Sequence, residues 1–248
     1  MHPVNNILSI LGLQITTTTR AKMPREFRRD YDHLLKEMKK NPPEGFNITQ
    51  DPAYDVGVHP LNYRDYECQF AAYHMSRLKP HNIIDIGSYR QFVLGLLSHF
   101  NVTTIDVRER KVTPPNETPV TCDAKHLPLP DNSFDVAITL CSLEHFGLGR
   151  FGDELDLNAD KEATSEMVRV LKSGGHIIFT TTITRAKPSI AFNAHRIYDY
   201  QMLRQLCSAL ECIDEKFYSQ RLLDFCALDE VTKEPNAWDV YCGCWKKK

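Results

Sequence analysis

The sequence lacks an apolar run long enough to cross a bilayer. The stretch from Ile7 to Ile15 is half of the roughly 20 residues a spanning helix needs. No basic segment precedes it, so neither a transmembrane helix nor a secretory signal is expected. An excess of either charge is also missing: 30 Lys and Arg against 32 Asp and Glu leave a formal charge of −2, which removes the counterion-release force of a dedicated nucleic-acid binder. A disulfide framework is not indicated, because the eight cysteines are scattered over 248 residues, a length that buries a core without staples. Reduced thiols in a cytoplasmic protein are the expectation. Cys242 and Cys244 lack the two-residue gap of a zinc or thioredoxin motif, and strand alternation makes them packing residues on one face. Without a secretory signal, the sequons at Asn47, Asn101 and Asn116 imply no glycosylation. No internal repeat appears, and the one low-complexity block is Thr16 to Thr19.

What is present is ordinary globular material, 42% hydrophobic and 25% charged, sufficient for one large α/β core and an extension. Residues 1–60 read as that extension: the short apolar helix candidate, an amphipathic basic stretch from Pro24 to Lys40, and a connector from Pro42 to Pro60. The apolar segment with Arg20, Lys22, Arg25, Arg28 and Arg29 could rest weakly on an anionic membrane surface, or pack on the domain or on a second copy. Residues 61–248 read as the main α/β domain. A helix is predicted from Asn62 to Leu78, and from Pro80 onward strands and helices alternate, which gives a parallel sheet covered on both faces. Strands are predicted at Asn82 to Ile86, Val102 to Val107, Pro119 to Thr121, Phe134 to Leu140 and His176 to Thr182. Helices are predicted at Gln91 to Phe100, Ala159 to Leu171 (stopped by Ser173-Gly174-Gly175) and Tyr200 to Leu210. Two late strands, Ile213 to Ser219 and Val240 to Lys246, have no full crossover helix between them. They predict an antiparallel hairpin closing a seven-stranded mixed sheet.

The chemistry begins at Ile83-Ile84-Asp85-Ile86-Gly87-Ser88, a buried strand running through an acid into a glycine turn and a helix. Ligands bind at such carboxyl ends in a doubly wound sheet. Gly87 lets backbone approach a ligand, and Asp85 can accept from an amine or a water. Asp106, at the end of the next strand, stands nineteen residues beyond Gly87, close to the roughly 20 expected for a carboxylate that holds a ribose diol. Together these residues specify an adenosine-bearing ligand.

Cys122-Asp123-Ala124 and then Leu127 to Asp135, ending in Ser-Phe-Asp, precede the fourth strand. Here the chain resembles class I S-adenosylmethionine (SAM)-dependent methyltransferases over residues 80–182. The resemblance implies a Rossmann-like fold with SAM as cofactor. It implies that Asp123 meets the adenine amino group and Ala124 lines the adenine pocket. Asp106 with Val107 would take the ribose, and Asp85, Gly87 and Ser88 would face the methionine part. Leu140 and Cys141 lead into Ser142-Leu143-Glu144-His145, beside the transferable methyl. The glycine-rich loop is reduced, with Tyr89 and Gln91 where further glycines are common. That counts more against NAD, whose pyrophosphate needs close backbone approach, than against SAM. A narrower resemblance, to a DUF268-like family of SAM-fold proteins, is carried by Leu143 to Asp153 (LEHFGLGRFGD) and Phe192 to Tyr198 (FNAHRIY). Both segments follow strand carboxyl ends and should reach the rim of one crevice.

His145 and His195 are candidate general bases, since a neutral imidazole can take a hydroxyl proton. The alternative is a hydrogen-bonded structural histidine. Glu144 is a third candidate, at the SAM amino end or at a metal. Arg150, Arg196 and Tyr198 are candidate acceptor contacts, although either arginine could pair with Asp153 or Asp156 to hold its loop. Asp153, Asp156 and Asp160 match no calcium-loop spacing, so no metal is expected. The resemblance implies methyl transfer to an acceptor hydroxyl, with a sugar of a bacterial glycan or its nucleotide- or lipid-linked precursor favoured. A small-molecule or lipid acceptor, a catalytically silent SAM-fold scaffold and a nucleotide-dependent oxidoreductase are the alternatives.

Overall fold

The computed structural model describes residues 24–50, 52–53 and 62–248. The apolar candidate at Ile7 to Ile15 lies outside them. Two units are distinguished, residues 1–60 and 61–248, and each is described by itself.

In the first unit, α1 (Arg25–Lys40) carries Glu26 in its first turn and Lys39 and Lys40 in its last, charges that complement the helix dipole. None of its residues is buried. No described helix is long and apolar enough to cross a membrane.

In the second unit, α2 (Tyr63–Leu78) begins at a capping box. Asn62 accepts the N–H of Arg64 at 2.8 Å, and Asp65 accepts that of Asn62 at 3.4 Å. These bonds satisfy donors that a helix start leaves open. The elements that follow are β1 (Asn82–Ile86), α3 (Arg90–Leu96), β2 (Asn101–Asp106), β3 (Glu117–Thr121), β4 (Phe134–Leu140), α4 (Ala159–Val170), β5 (Leu171–Ile183), β6 (Ser189–Ala191), β7 (His195–Ile197), α5 (Tyr200–Leu206), β8 (Leu210–Ser219), β9 (Asp224–Cys226) and β10 (Asp239–Lys247). A single turn of 3-10 helix, Leu143–His145, follows β4.

The main sheet runs β3-β2-β1-β4-β5-β10-β8-β9. Its first five strands are parallel, β10 inserts antiparallel between β5 and β8, and β9 pairs antiparallel with β8. The mixed Rossmann-like architecture agrees with the sequence reading, but the sheet has eight strands where seven were expected. The extra one, β9, is three residues long, too short to show alternation. Side chains of opposite parity feed two cores. Ile84, Ile86, Tyr241 and Trp245 pack with Ala163 and Met167 of α4 and Leu203 of α5. Ile83, Val240, Cys242 and Cys244 pack with Phe70, Ala71 and Met75 of α2 and Val93 of α3. Cys242 and Cys244 are thus core thiols.

Four other features differ from the sequence reading. The predicted helix Gln91 to Phe100 ends at Leu96 and the predicted helix Tyr200 to Leu210 ends at Leu206. The residues Ser173-Gly174-Gly175, expected to stop α4, lie inside β5, where Gly174 takes φ +79 and the register to β4 shifts between Phe134 and Val136. The segment Phe192 to Tyr198, expected as a loop, contains β7, which pairs antiparallel with β6.

Candidate functional site

The strand order reverses between β1 and β4, and the loops beyond their carboxyl ends diverge to leave a crevice. A cavity with about 870 Å³ of empty space, open at its mouth, occupies it. Eight of the nine predicted cofactor residues line it: Gly87, Ser88, Asp106, Val107, Asp123, Ala124, Leu140 and Cys141. Gly87 is required twice over. Its φ is +68, and an added Cβ would lie 2.3 Å from Ser142 Oγ, so a side chain would both strain the backbone and fill the cradle. Ser88 Oγ accepts the Leu140 N–H at 3.0 Å, tying the β1 turn to the end of β4.

Asp85, the ninth, lies beneath this turn and lines an adjoining cavity with Arg90 and Arg110. It is 3% exposed and its Oδ1 has no hydrogen-bond partner. Burial pushes its carboxyl up to about 7, against hydrogen bonds from Ser88 and the pull of Arg110. Its contact with a bound molecule would have to run through the Gly87 turn.

Asp106 ends β2 and Asp123 lies two residues past β3, both at the cavity wall, but neither stands free. Arg108 folds back onto Asp106 with Nε to Oδ1 at 2.9 Å and Nη2 to Oδ2 at 2.8 Å, and its backbone N–H also reaches Oδ1. Burial raises the Asp106 carboxyl, yet these bonds outweigh it and hold the group below its ordinary value. Asp123 accepts the Lys125 N–H at 2.9 Å, while Lys125 Nζ turns to Asp156 at 2.8 Å.

At the far end of the cavity stands His145. Its Nδ1 lies 2.5 Å from the Ala194 carbonyl oxygen, in the turn between β6 and β7. A carbonyl can only accept, so Nδ1 carries the proton and Nε2 keeps its lone pair. Burial, then the charges of Arg150, His195 and Arg64, lower the imidazole to about 4 despite the Ala194 bond; His145 is therefore neutral at pH 7. Glu144 does not line the cavity. It is 2% exposed, accepts from Thr181 Oγ1 at 2.9 Å, and burial raises it to about 7. Its 3.9 Å approach to His145 Nε2 is not an ion pair at neutral pH.

His195 is half-buried and sits beside the cavity: its ring packs edge-on to His145 and to Trp238, at 6.4 and 5.7 Å between centroids. Burial, with Arg150, lowers its pKa. Arg150 lines the cavity. Arg196 does not: it is 5% exposed, donates to the carbonyls of Phe146 at 2.5 Å and Asp156 at 3.2 Å, and lies 3.8 Å from Asp160. Its donors are spent on the loop after β4, which is the loop-holding alternative rather than acceptor recognition. Tyr198 is likewise a structural residue, buried with its hydroxyl donating to Asp160 at 3.0 Å. The acidic loop residues are internally engaged, Asp153 with the N–H groups of Gly149 and Phe151 and Asp156 with Lys125. Among the described residues no group of three His, Cys, Asp or Glu is arranged to hold a metal.

Two charged cavity residues escaped the sequence reading, Arg64 and Arg108; Tyr89 was noted only for a missing glycine, and Phe151 only as part of the rim segment Leu143–Asp153. Arg64 comes from α2, ahead of the first strand, and pairs with buried Glu67 at 2.6 Å. Its guanidinium lies over the rings of Tyr63 and Tyr89. The signal for it was the Arg64/Glu67 pair one turn apart on α2. Arg108 was visible two residues past Asp106, and Phe151 packs beneath its guanidinium at 4.6 Å.

The fold is that of class I SAM-dependent methyltransferases. Residues 120–234 match the family described as "Caenorhabditis protein of unknown function, DUF268". No curated protein matches the chain in sequence. Among solved structures, N-methyltransferase NodS from Bradyrhizobium japonicum WM9, in complex with S-adenosylhomocysteine (SAH), is similar at 18% identity and TM-score 0.52, over 74% of this chain and 86% of that one. The Burkholderia thailandensis 1,6-didemethyltoxoflavin-N1-methyltransferase, with SAH and 1,6-didemethyltoxoflavin bound, is similar at 14% identity and TM-score 0.53, over 95% and 93%. The [4+2]-cyclase SpnF is similar at 17% identity and TM-score 0.54, over 73% and 81%. At these identities the likeness shows the fold alone, and a cyclase among the neighbours shows why function has to be argued from the site.

Proposed function

We propose that this protein transfers a methyl group from SAM to an acceptor hydroxyl. The observation that carries the reading is the convergence on one cavity of two carboxylates at or just past strand ends, a glycine turn that admits no Cβ, and a neutral imidazole whose Nε2 has no hydrogen-bond partner. Asp106 would hold the ribose hydroxyls, Asp123 the adenine amino group, and Ala124 and Val107 the faces of the nucleoside. Bound SAM supplies an electrophilic methyl on its sulfonium. The chain's own contribution is to orient the acceptor and to give its proton a destination at His145 Nε2 as the oxygen attacks, and orientation supplies most of the rate. With a pKa of about 4, His145 is a weak base, fitted to steady the proton in the transition state rather than to ionise the hydroxyl beforehand.

A sugar hydroxyl is the acceptor favoured. The support is a train of rings leading from His145 through His195 and Trp238 to Tyr63, which offers aromatic faces and edges to a carbohydrate ring. One observation favours a second reading, a catalytically silent SAM-fold protein: Arg108 already occupies the carboxylate that would hold the ribose.

The test is turnover of methyl-labelled SAM against a panel of mono- and oligosaccharides. Acceptor-dependent label transfer that His145→Ala reduces about 100-fold, with SAH binding retained, is the expected result. SAH binding without transfer to any sugar would favour the silent reading.

A further inference from the structure

We infer that the acceptor bears an anionic group, a carboxylate or a phosphate, close to its reacting hydroxyl, and that Arg150 receives it. The inference rests on the methyltransferase reading and names the substrate class of that same site.

Three guanidinium groups line the cavity: Arg64, Arg108 and Arg150. Two are neutralised within the fold, Arg64 by Glu67 and Arg108 by Asp106. Arg150 has no carboxylate partner among the described residues. The acid nearest to it in sequence, Asp153, is turned back to accept the N–H groups of Gly149 and Phe151 at 3.3 and 3.0 Å. Arg150 gives one bond to protein, from Nη1 to the Ala194 carbonyl at 3.1 Å, and this is the carbonyl that also orients His145. The Phe151 ring backs the guanidinium at 5.2 Å, and the N–H groups other than those of Nη1 have no protein acceptor among the described residues. A planar fork backed by a ring and held by one carbonyl is suited to bidentate contact with a carboxylate or phosphate.

The position gives this charge its meaning. Arg150 Nη1 is 3.2 Å from His145 Nδ1, and its charge depresses both His145 and His195. An anion on Arg150 would offset that charge. It would also hold the acceptor within one imidazole width of Nε2, the nitrogen that takes the proton. A neutral acceptor would leave the unpaired cation beside the base.

The test uses the full chain and three probes: glucuronate, glucose and inorganic phosphate, titrated by NMR or calorimetry with and without SAH. Glucuronate should bind at least tenfold tighter than glucose. Arg150→Gln should weaken glucuronate binding about 10- to 100-fold, the range for losing a charge-assisted pair, and Arg150→Lys should recover only part because it lacks the fork. Thermal melting of each variant reports that it is folded. Phosphate binding that equals or exceeds glucuronate binding and also depends on Arg150 assigns the anion as phosphate. Equal binding of glucuronate, phosphate and glucose, or anion binding unchanged in Arg150→Gln, overturns the inference. Failure of SAH to bind the wild-type protein is read separately in the same samples, and it overturns the underlying methyltransferase reading.

Discussion

Arg108→Ala should tighten SAH binding. In the structure the carboxylate expected to take the ribose diol is held by a bidentate bond from its own neighbour, so a nucleoside must displace that guanidinium before it can bind. The cost of displacement bounds the effect. The Arg108 side chain is 61% exposed and that of Asp106 19%, and ion pairs of such exposure contribute about 0.5–1 kcal/mol after solvent screening. At 1.4 kcal/mol per tenfold, removing the competitor tightens SAH binding about 2- to 5-fold. SAH is the right titrant because it lacks the sulfonium charge of SAM, so loss of a nearby cation does not act on the ligand through its net charge. The gain should shrink as salt rises from about 10 mM to 1 M, where the screening length falls from roughly 30 Å to 3 Å. Calorimetric titration of both proteins at the two ionic strengths measures it. Weaker SAH binding in Arg108→Ala at low salt would refute the reasoning and make Arg108 a ligand of the cofactor rather than its competitor.

Two further predictions concern groups that leave the cavity lining. Arg196→Ala removes the cation beside buried Asp160 and the donor to the carbonyls of Phe146 and Asp156. It should cost about 3 kcal/mol and lower Tm by roughly 6–12 °C, whereas Arg150→Ala, at an exposed position, should shift Tm by less than about 2 °C. Equal shifts would show that the two arginines do not differ in role. Glu144→Gln tests the buried acid. With its carboxyl raised from 4.5 to about 7, the native state binds more protons than the unfolded state between those values, so wild-type stability falls as pH rises through that window and is level above it. The variant has no such loss. Its melting temperature should match the wild type near pH 4 and exceed it at pH 8, by at most about 3 kcal/mol of stability at 1.36 kcal/mol per unit. A constant difference across pH would show that folding leaves the Glu144 pKa unshifted.

Most of the parallel half of the sheet was legible because its central strands are largely buried and read as short apolar runs, two of them reaching an acid: Ile83 to Asp85, Val102 to Asp106, and Phe134 to Leu140. The same rule found Asp106 and Asp123, since a strand's carboxyl end is a place the sequence can mark. Short pairings were not legible. β6, β7 and β9 have three residues each, fewer than alternation needs. Ser173-Gly174-Gly175 was read as a helix stop when it is an irregularity inside β5, because glycine signals a backbone departure without saying which element makes it. Side-chain direction was the largest gap. Arg150 and Arg196 look alike in sequence, yet the loop from Phe146 to Asp156 wraps one and leaves the other in the cavity. Arg64 was hidden for a different reason: only tertiary packing brings α2 against β5, where Thr180 Oγ1 donates to Glu67 at 2.7 Å.

The most direct test of the account is calorimetric titration of the wild-type protein and Asp106→Ala with SAM and SAH, with NAD as control. The account predicts saturable 1:1 binding of both adenosyl ligands, at least tenfold weaker in Asp106→Ala, a loss on the order of 1.4 kcal/mol, and no NAD binding. Absence of SAM and SAH binding, or binding that Asp106→Ala leaves unchanged, would contradict it.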